Sequence, residues 1–323
     1  MDHSELTLTM IEQAAERIAP YLLHTPLLPS RELSELLATR VSLKFELFQE
    51  TRSFKPRGAF NRLLSLSEAE RAGGLVAVSG GNHGKAVAFA AQRLGLRARV
   101  IMFQTSAPSA IAACRAYGAE VELLPTPAEG FARARELERG GLTFVHPFDD
   151  LEVIAGQGTL GLEILAAAPD VTDLIASIGG GGMIGGVAAA IHAHKPDVRI
   201  WGVETEGADA MRQALAAGRV VTLAAITSLA TTLGAPAVSE RTLDLARRHI
   251  EEVVVVSDRE AVVDLLELLN QVKVLVEPAA ACTLSAARRL HGRFGPDRHL
   301  VIILCGASMT LDELEGFRAR VGV

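Results

Sequence analysis

Aromatic side chains make up only 4% of the 323 residues, with one tryptophan and two tyrosines, so large rings cannot build the interior. Leucine, valine, isoleucine and alanine must build it instead, on helices and buried strands. Cysteine is scarce as well. Cys114, Cys282 and Cys305 are odd in number and widely spaced, which excludes a disulfide scaffold or a zinc knuckle and leaves reduced thiols as the expectation. No apolar run approaches the roughly 18 residues that a membrane span requires. There is no dense Lys/Arg block, and the net charge of −6 argues against nucleic acid or an anionic membrane as partner. The start, Met1-Asp2-His3-Ser4-Glu5, has neither the basic nor the apolar part of a secretion signal, so a cytoplasmic location is expected. The chain has 29 glycines without a collagen period and no low-complexity tract, which leaves a globular protein that acts on small molecules.

What is present is an alternation of strand and helix patterns. Thr7 to Tyr21 carries Ile11, Ala14, Ile18 and Leu22 on one helical stripe, ended by His24-Thr25-Pro26. Strand-like segments follow at Val41–Leu47, Leu75–Val78, Ala98–Phe103 and Glu120–Leu124. After His146-Pro147-Phe148-Asp149-Asp150 the rhythm resumes at Leu174–Ile178, Ile200–Val203, Val253–Val256 and Leu300–Leu304. Helices are expected at Phe60–Leu66, Lys85–Leu94, Gly158–Ala167, Met183–His194 and Arg259–Leu269. Near-continuous apolar strands between helices predict parallel sheets covered on both faces. The break near 146–150 divides them into two modules: a small domain over residues 50–147, and a large one from residues 1–49 and 148–323, with the site between them.

Four segments carry candidate chemistry. Lysine is rare, with only Lys44, Lys55, Lys85, Lys195 and Lys273 among 32 basic residues, and Lys55 lies between Phe54 and Pro56. An amine kept neutral by apolar surroundings can condense with an aldehyde, although for this segment alone a surface lysine at a helix entry is the commoner reading; Lys273, in Val272-Lys273-Val274, is a rival. Ser79-Gly80-Gly81-Asn82-His83-Gly84 joins a strand to a helix and offers free N–H groups to an anion, or is simply a tight capped turn. Gly179-Gly180-Gly181-Gly182-Met183 converges N–H groups as a phosphate requires. Gly180, Gly182 and Gly185 also satisfy G-x-G-x-x-G, with Glu204 placed as a ribose-binding acid, so an NAD-dependent oxidoreductase remains open. Cys305 ends the last strand, where side chains face the crevice of a parallel sheet, and Ser308 follows it. Cys305 is either a ligand contact or a buried structural thiol, and Glu277, before Pro278, is either a helix-start carboxylate or a cleft residue.

In this order the segments resemble the fold-type II family of pyridoxal-phosphate enzymes, in its serine/threonine dehydratase and serine racemase branch. The resemblance runs from His24-Thr25-Pro26-Leu27 to Leu304-Cys305-Gly306. It implies an α/β fold of the tryptophan synthase beta-like type, with two domains and parallel-rich twisted sheets flanked by helices. It also implies a homodimer and pyridoxal 5'-phosphate as cofactor. By the same resemblance Lys55 is the lysine that joins the cofactor and acts as base, Phe54 lies beside the ring, Asn82 bonds the 3-oxygen and Cys305 faces the ring nitrogen. Gly179, Gly180, Gly181, Gly182 and Met183 cradle the phosphate, and Glu277 is a cleft acid. Ser79, Gly80, Asn82 and His83 form the loop that holds the substrate carboxylate.

The implied reaction is elimination of the hydroxyl of L-threonine or L-serine, which yields a 2-oxo acid and ammonia. A serine racemase, a lyase for another β-hydroxy amino acid, or a binding protein on the same fold are the alternatives. Gly80 stands where racemases of this branch carry a serine as their second proton donor, which favours elimination. Arg52 stands where glycine is common before Ser-Phe-Lys. Some relatives hold a divalent cation through a Glu, a carbonyl and an Asp. Glu204 and Ala208 match, but Ala210 lacks the last carboxylate, which argues against a metal unless Asp209 or Glu206 compensates. The chain ends at Val323, so no C-terminal regulatory domain is expected.

Overall fold

The computed structural model describes residues 5–323; Met1–Ser4, at the start read above, lie outside the described residues. Two sheets organise the chain. The strands are β1 (Leu27–Pro29), β2 (Arg40–Phe45), β3 (Leu75–Val78), β4 (Ala98–Phe103), β5 (Glu120–Leu124), β6 (Thr143–Phe144), β7 (Asp173–Ser177), β8 (Arg199–Thr205), β9 (Glu252–Val256) and β10 (His299–Leu304). One sheet has six strands in the order β1-β2-β10-β7-β8-β9, the other four in the order β5-β4-β3-β6. Among the described residues the β1–β2 strand pair is antiparallel and the other strand pairs are parallel.

Burial explains the sequence pattern. All residues of β10 and β7 are buried, because helices cover both faces of the larger sheet, and such strands need no polar alternation. The smaller sheet is wrapped by helices Asn82–Arg93, Pro108–Ala116 and Pro127–Arg139, the last opened by a Thr126–Glu129 capping box. Helix Leu151–Ala167 lies between the sheets and packs on helix Pro56–Leu64. At Gly156 an added Cβ would sit 2.5 Å from the Arg57 carbonyl oxygen, so no larger residue allows this approach.

Several boundaries move from the sequence expectation. The strand expected to reach Leu47 stops at Phe45, because Glu46 turns its carboxylate onto Arg57. The helix expected at Phe60 starts at Pro56, whose fixed φ and missing N–H suit the first helical position. The helix expected from Gly158 begins at Leu151, with Asp150 capping Glu152 and Val153. The last turn of the helix expected to reach Leu269 widens over Leu268–Val272.

Candidate active site

Lys55 is held from both sides in sequence. Ser53 bridges Gly306, the Phe54 N–H donates to the Cys305 carbonyl at 3.0 Å, and the Ala307 N–H donates to the Arg52 carbonyl at 2.9 Å. These bonds join the lysine segment to the end of β10. They also place Arg52 at φ 62°, a left-handed conformation suited to glycine. On the other side Arg57, almost fully buried, donates to Glu46 at 2.7 and 2.8 Å and to Glu163 at 2.7 and 2.9 Å, and Lys44 adds a bond to Glu163 at 2.6 Å. Between these anchors the Lys55 Nζ donates to the Pro147 carbonyl at 3.0 Å and lies 5.1 Å from the centre of the Phe54 ring. Burial lowers the Lys55 ammonium to about 8, against the pull of Cys305 and Glu277. Near neutrality this amine loses its proton far more readily than a solvated lysine.

Each sheet contributes one glycine turn at the carboxyl end of a parallel strand. After β3, Gly81 precedes helix Asn82–Arg93, whose first internal bond runs from Lys85 N–H to Gly81, so the N–H groups of Asn82, His83 and Gly84 have no helical partner. Ser79 Oγ accepts the Gly81 N–H at 3.1 Å and shapes the turn. After β7, Gly181 at φ 89° precedes helix Gly182–His194, and the Gly185 N–H returns to the Gly181 carbonyl, which frees Gly182, Met183 and Ile184. Bare backbone is obligatory at Gly180, where a Cβ would lie 2.1 Å from the Phe148 ring. The short turn Thr231–Leu233 touches both loops: a Cβ at Gly81 would meet Thr232 Cγ2 at 3.6 Å, and one at Gly179 would meet the Leu233 carbonyl at 3.3 Å. The two sets of free N–H groups therefore border one cleft. Pro147 and Phe148 connect Lys55 to the tetraglycine.

Glu277 forms the hub. It precedes helix Pro278–Arg289 yet leaves that helix uncapped. Its Oε1 accepts from Asn82 Nδ2 and Thr232 Oγ1, both at 2.9 Å, and its Oε2 from Asn82 Nδ2 at 3.1 Å and the Ser308 N–H at 2.9 Å. Asn82 Oδ1 is left buried without a partner. Cys305 Sγ accepts from Ser177 Oγ at 3.4 Å, and burial beside Glu277 raises its thiol to about 12, so it stays neutral. His83 turns Nε2 to the Val145 carbonyl at 2.9 Å, and burial next to Lys55 lowers it to about 3. Its imidazole is thus neutral and held to the Val145 carbonyl, and its Nδ1 is buried without a partner.

Other sequence candidates lie apart. Lys273 is exposed at φ 64° on the widened turn and is no rival to Lys55. Glu204 accepts the N–H groups of Met211 at 2.9 Å and Arg212 at 2.8 Å, and burial raises it to about 8. Occupied by a helix start, it is not an open ribose acceptor, and Gly185 packs against Leu245 instead of a ligand. The dinucleotide reading fails for this reason. Among the described residues, no cluster of His, Cys, Asp or Glu could hold a metal ion. Sequence reasoning missed Thr232, Phe148 and Lys85, none of which lies in a recognisable motif.

The donor set suits a cofactor with an aldehyde and a phosphate. It offers a readily neutral amine at Lys55, a cradle of free N–H groups at Gly182–Ile184, an unpartnered amide oxygen at Asn82 and a neutral thiol at Cys305. Fold and site together define an aldehyde-cofactor enzyme with its cleft between two parallel-rich α/β sheets. Residues 18–306 match the pyridoxal-phosphate dependent enzyme family, and the chain belongs to it. It is 37% identical over 305 residues to a phenylserine dehydratase of Ralstonia pickettii, covering 93% of each chain. It is 40% identical over 284 residues to an L-threonine ammonia-lyase of Geobacter sulfurreducens, covering 87% of this chain and 70% of that one. The structure of maize serine racemase superposes with a TM-score of 0.90 at 30% identity, covering 98% of this chain and 97% of that one.

Proposed function

We propose that the chain is a pyridoxal-phosphate-dependent ammonia-lyase that removes the β-hydroxyl of L-threonine and L-serine, giving a 2-oxo acid and ammonia. The observation that carries this reading is the Lys55 amine, depressed to about 8 by burial and fixed between β10 and the Arg57 ion pairs. When bound, pyridoxal phosphate supplies an aldehyde that takes up the amino group and a ring that accepts electrons from the α-carbon. Gly179–Met183 would hold its phosphate, with Phe54, Asn82, Glu277 and Cys305 around the ring. The free N–H groups at Asn82–Gly84, with Ser79 and Gly80 in the same turn, orient the substrate carboxylate. Lys55 Nζ takes the α-proton, and the hydroxyl departs as water once protonated. Hydrolysis of the remaining enamine releases ammonia and the 2-oxo acid.

Two features favour elimination over racemisation. The Cys305 thiol stays neutral and would offer the cofactor ring no negative charge, a setting that would favour loss of the β-substituent. A side chain at Gly80 would press on Phe103 at 3.1 Å and Ser106 at 3.3 Å, and none is there to donate a second proton. We place the domain division at residues 50–147, because the smaller sheet is built from residues 75–144. A cytoplasmic homodimer completes the reading. The unpaired, buried cysteines fit a reducing compartment, and exposed Leu23 and Phe48, which line one surface depression, offer a place for a second copy. Incubating the loaded enzyme with L- and D-serine and L- and D-threonine tests the reaction. The reading expects 2-oxo acid from the L-isomers; serine racemisation with little oxo acid would replace it with a racemase.

A further inference from the structure

Lys85 is 8% exposed, one helical turn after Asn82, and its ammonium donates to Ser308 Oγ. Among the described residues no carboxylate lies within ion-pair distance of it, and a buried cation without a paired charge is costly. Its place in the hydrogen-bond pattern accounts for it. Ser308 gives its backbone N–H to Glu277 Oε2 at 2.9 Å, and Glu277 in turn holds Asn82 Nδ2 at 2.9 and 3.1 Å. The contacts form a closed ring: Asn82, Glu277, Ser308, Lys85 and back along the helix. Asn82 and Lys85 belong to the smaller sheet's helix. Ser308 follows β10 of the larger sheet, and Glu277 opens one of its covering helices. Glu277 is 3% exposed and every group that bonds it is neutral, so its charge is balanced only at a distance. Burial lowers the Lys85 ammonium from its ordinary value, and the Glu277 carboxylate pulls it back up.

We propose that Lys85 is a positioning residue whose ammonium, through Ser308, holds the Glu277 carboxylate on the Asn82 amide and clamps the substrate-side turn of the smaller sheet onto the larger one. Lys85 touches neither cofactor nor substrate in this role. The kinetic part of the proposal rests on the assignment of Ser79–His83 to the substrate turn; the clamp itself does not.

Hydrogen exchange on the protein without cofactor or substrate tests the clamp separately from the reaction. Lys85→Met removes the charge at similar volume, and Ser308→Ala removes the link but leaves the charge. Each is expected to speed exchange at least tenfold both in residues 79–85 and in 305–309, with β8 around Trp201 unchanged. The double variant should add little to either single one, because one ring is broken in all three. In the loaded enzyme Lys85→Met should raise KM for the amino acid about tenfold with kcat changed less than about threefold. If Lys85→Met does not fold, Ser308→Ala carries the test. Wild-type exchange in both segments in a folded single variant, or fully additive effects in the double variant, would overturn the proposal. Faster exchange without dehydratase activity would keep the clamp and refute the reaction.

Discussion

Asn82 and Glu277 meet across the two sheets, with the amide nitrogen 2.9 and 3.1 Å from the two carboxylate oxygens. This contact fixes the amide on its donor side and turns its unpartnered oxygen to other use. It also ties the turn after β3 to a residue that bonds the segment after β10.

Under the proposed assignment of Asn82, Asn82→Ala should damage both cofactor contact and loop position. Glu277 would keep only Thr232 and Ser308. A loss of about 10- to 100-fold in kcat/KM is expected from one misplaced polar contact in a closed site, measured as 2-oxo acid release.

The depressed Lys55 ammonium predicts a pH dependence with a definite sign. Below about 8 the amine is mostly protonated and cannot attack an aldehyde; above it the neutral form dominates. Capture of pyridoxal phosphate by the protein without cofactor should rise about tenfold per unit between pH 6 and pH 7 and flatten above about pH 8. Borohydride fixation followed by mass analysis of the Lys55 peptide reads this directly. Exposed Lys273 should take up little under the same conditions.

Gly180→Ala places a methyl group 2.1 Å from the Phe148 ring. Overpacking of this kind costs about 1–3 kcal/mol, and the shift of Phe148 would disturb the cradle. A lower Tm and weaker cofactor retention on dialysis are expected together. Phe148→Leu in the same chain should recover part of the Tm.

Arg52 holds φ 62° because its carbonyl must reach Ala307. A non-glycine residue pays roughly 1–2 kcal/mol for this conformation, which glycine escapes at the expense of unfolded-state entropy. Arg52→Gly should thus leave Tm unchanged or slightly raised, whereas β-branched Arg52→Val should lower it clearly. Calorimetry on both variants checks the difference.

The parts legible in sequence were those in which one local pattern has one physical use. A glycine turn after an apolar strand and before a helix frees N–H groups wherever it occurs, so Gly80–Asn82 and Gly179–Gly182 stood out. The eight expected strands all appear, but β1 and β6 are three and two residues long, too short for a period to register. The first turns of helix Leu151–Ala167 carry no clear helical signal because Gly156 reads against a helix, although it is what lets the Arg57 backbone approach. Thr232 and Lys85 gain their roles from partners 45 and 223 residues away, Glu277 and Ser308, and no local pattern marks such contacts.

Oxo-acid release from β-hydroxy L-amino acids by the loaded wild-type enzyme and by Lys55→Ala shows whether the amine of Lys55 runs the proposed elimination. Ammonia and 2-oxo acid are expected in equal amounts from L-threonine or L-serine, with a loss of about 10³-fold or more in the variant, since the proposed role of the residue is both anchor and base. Equal rates in the two proteins, or no oxo acid from either substrate with the wild type, would contradict it.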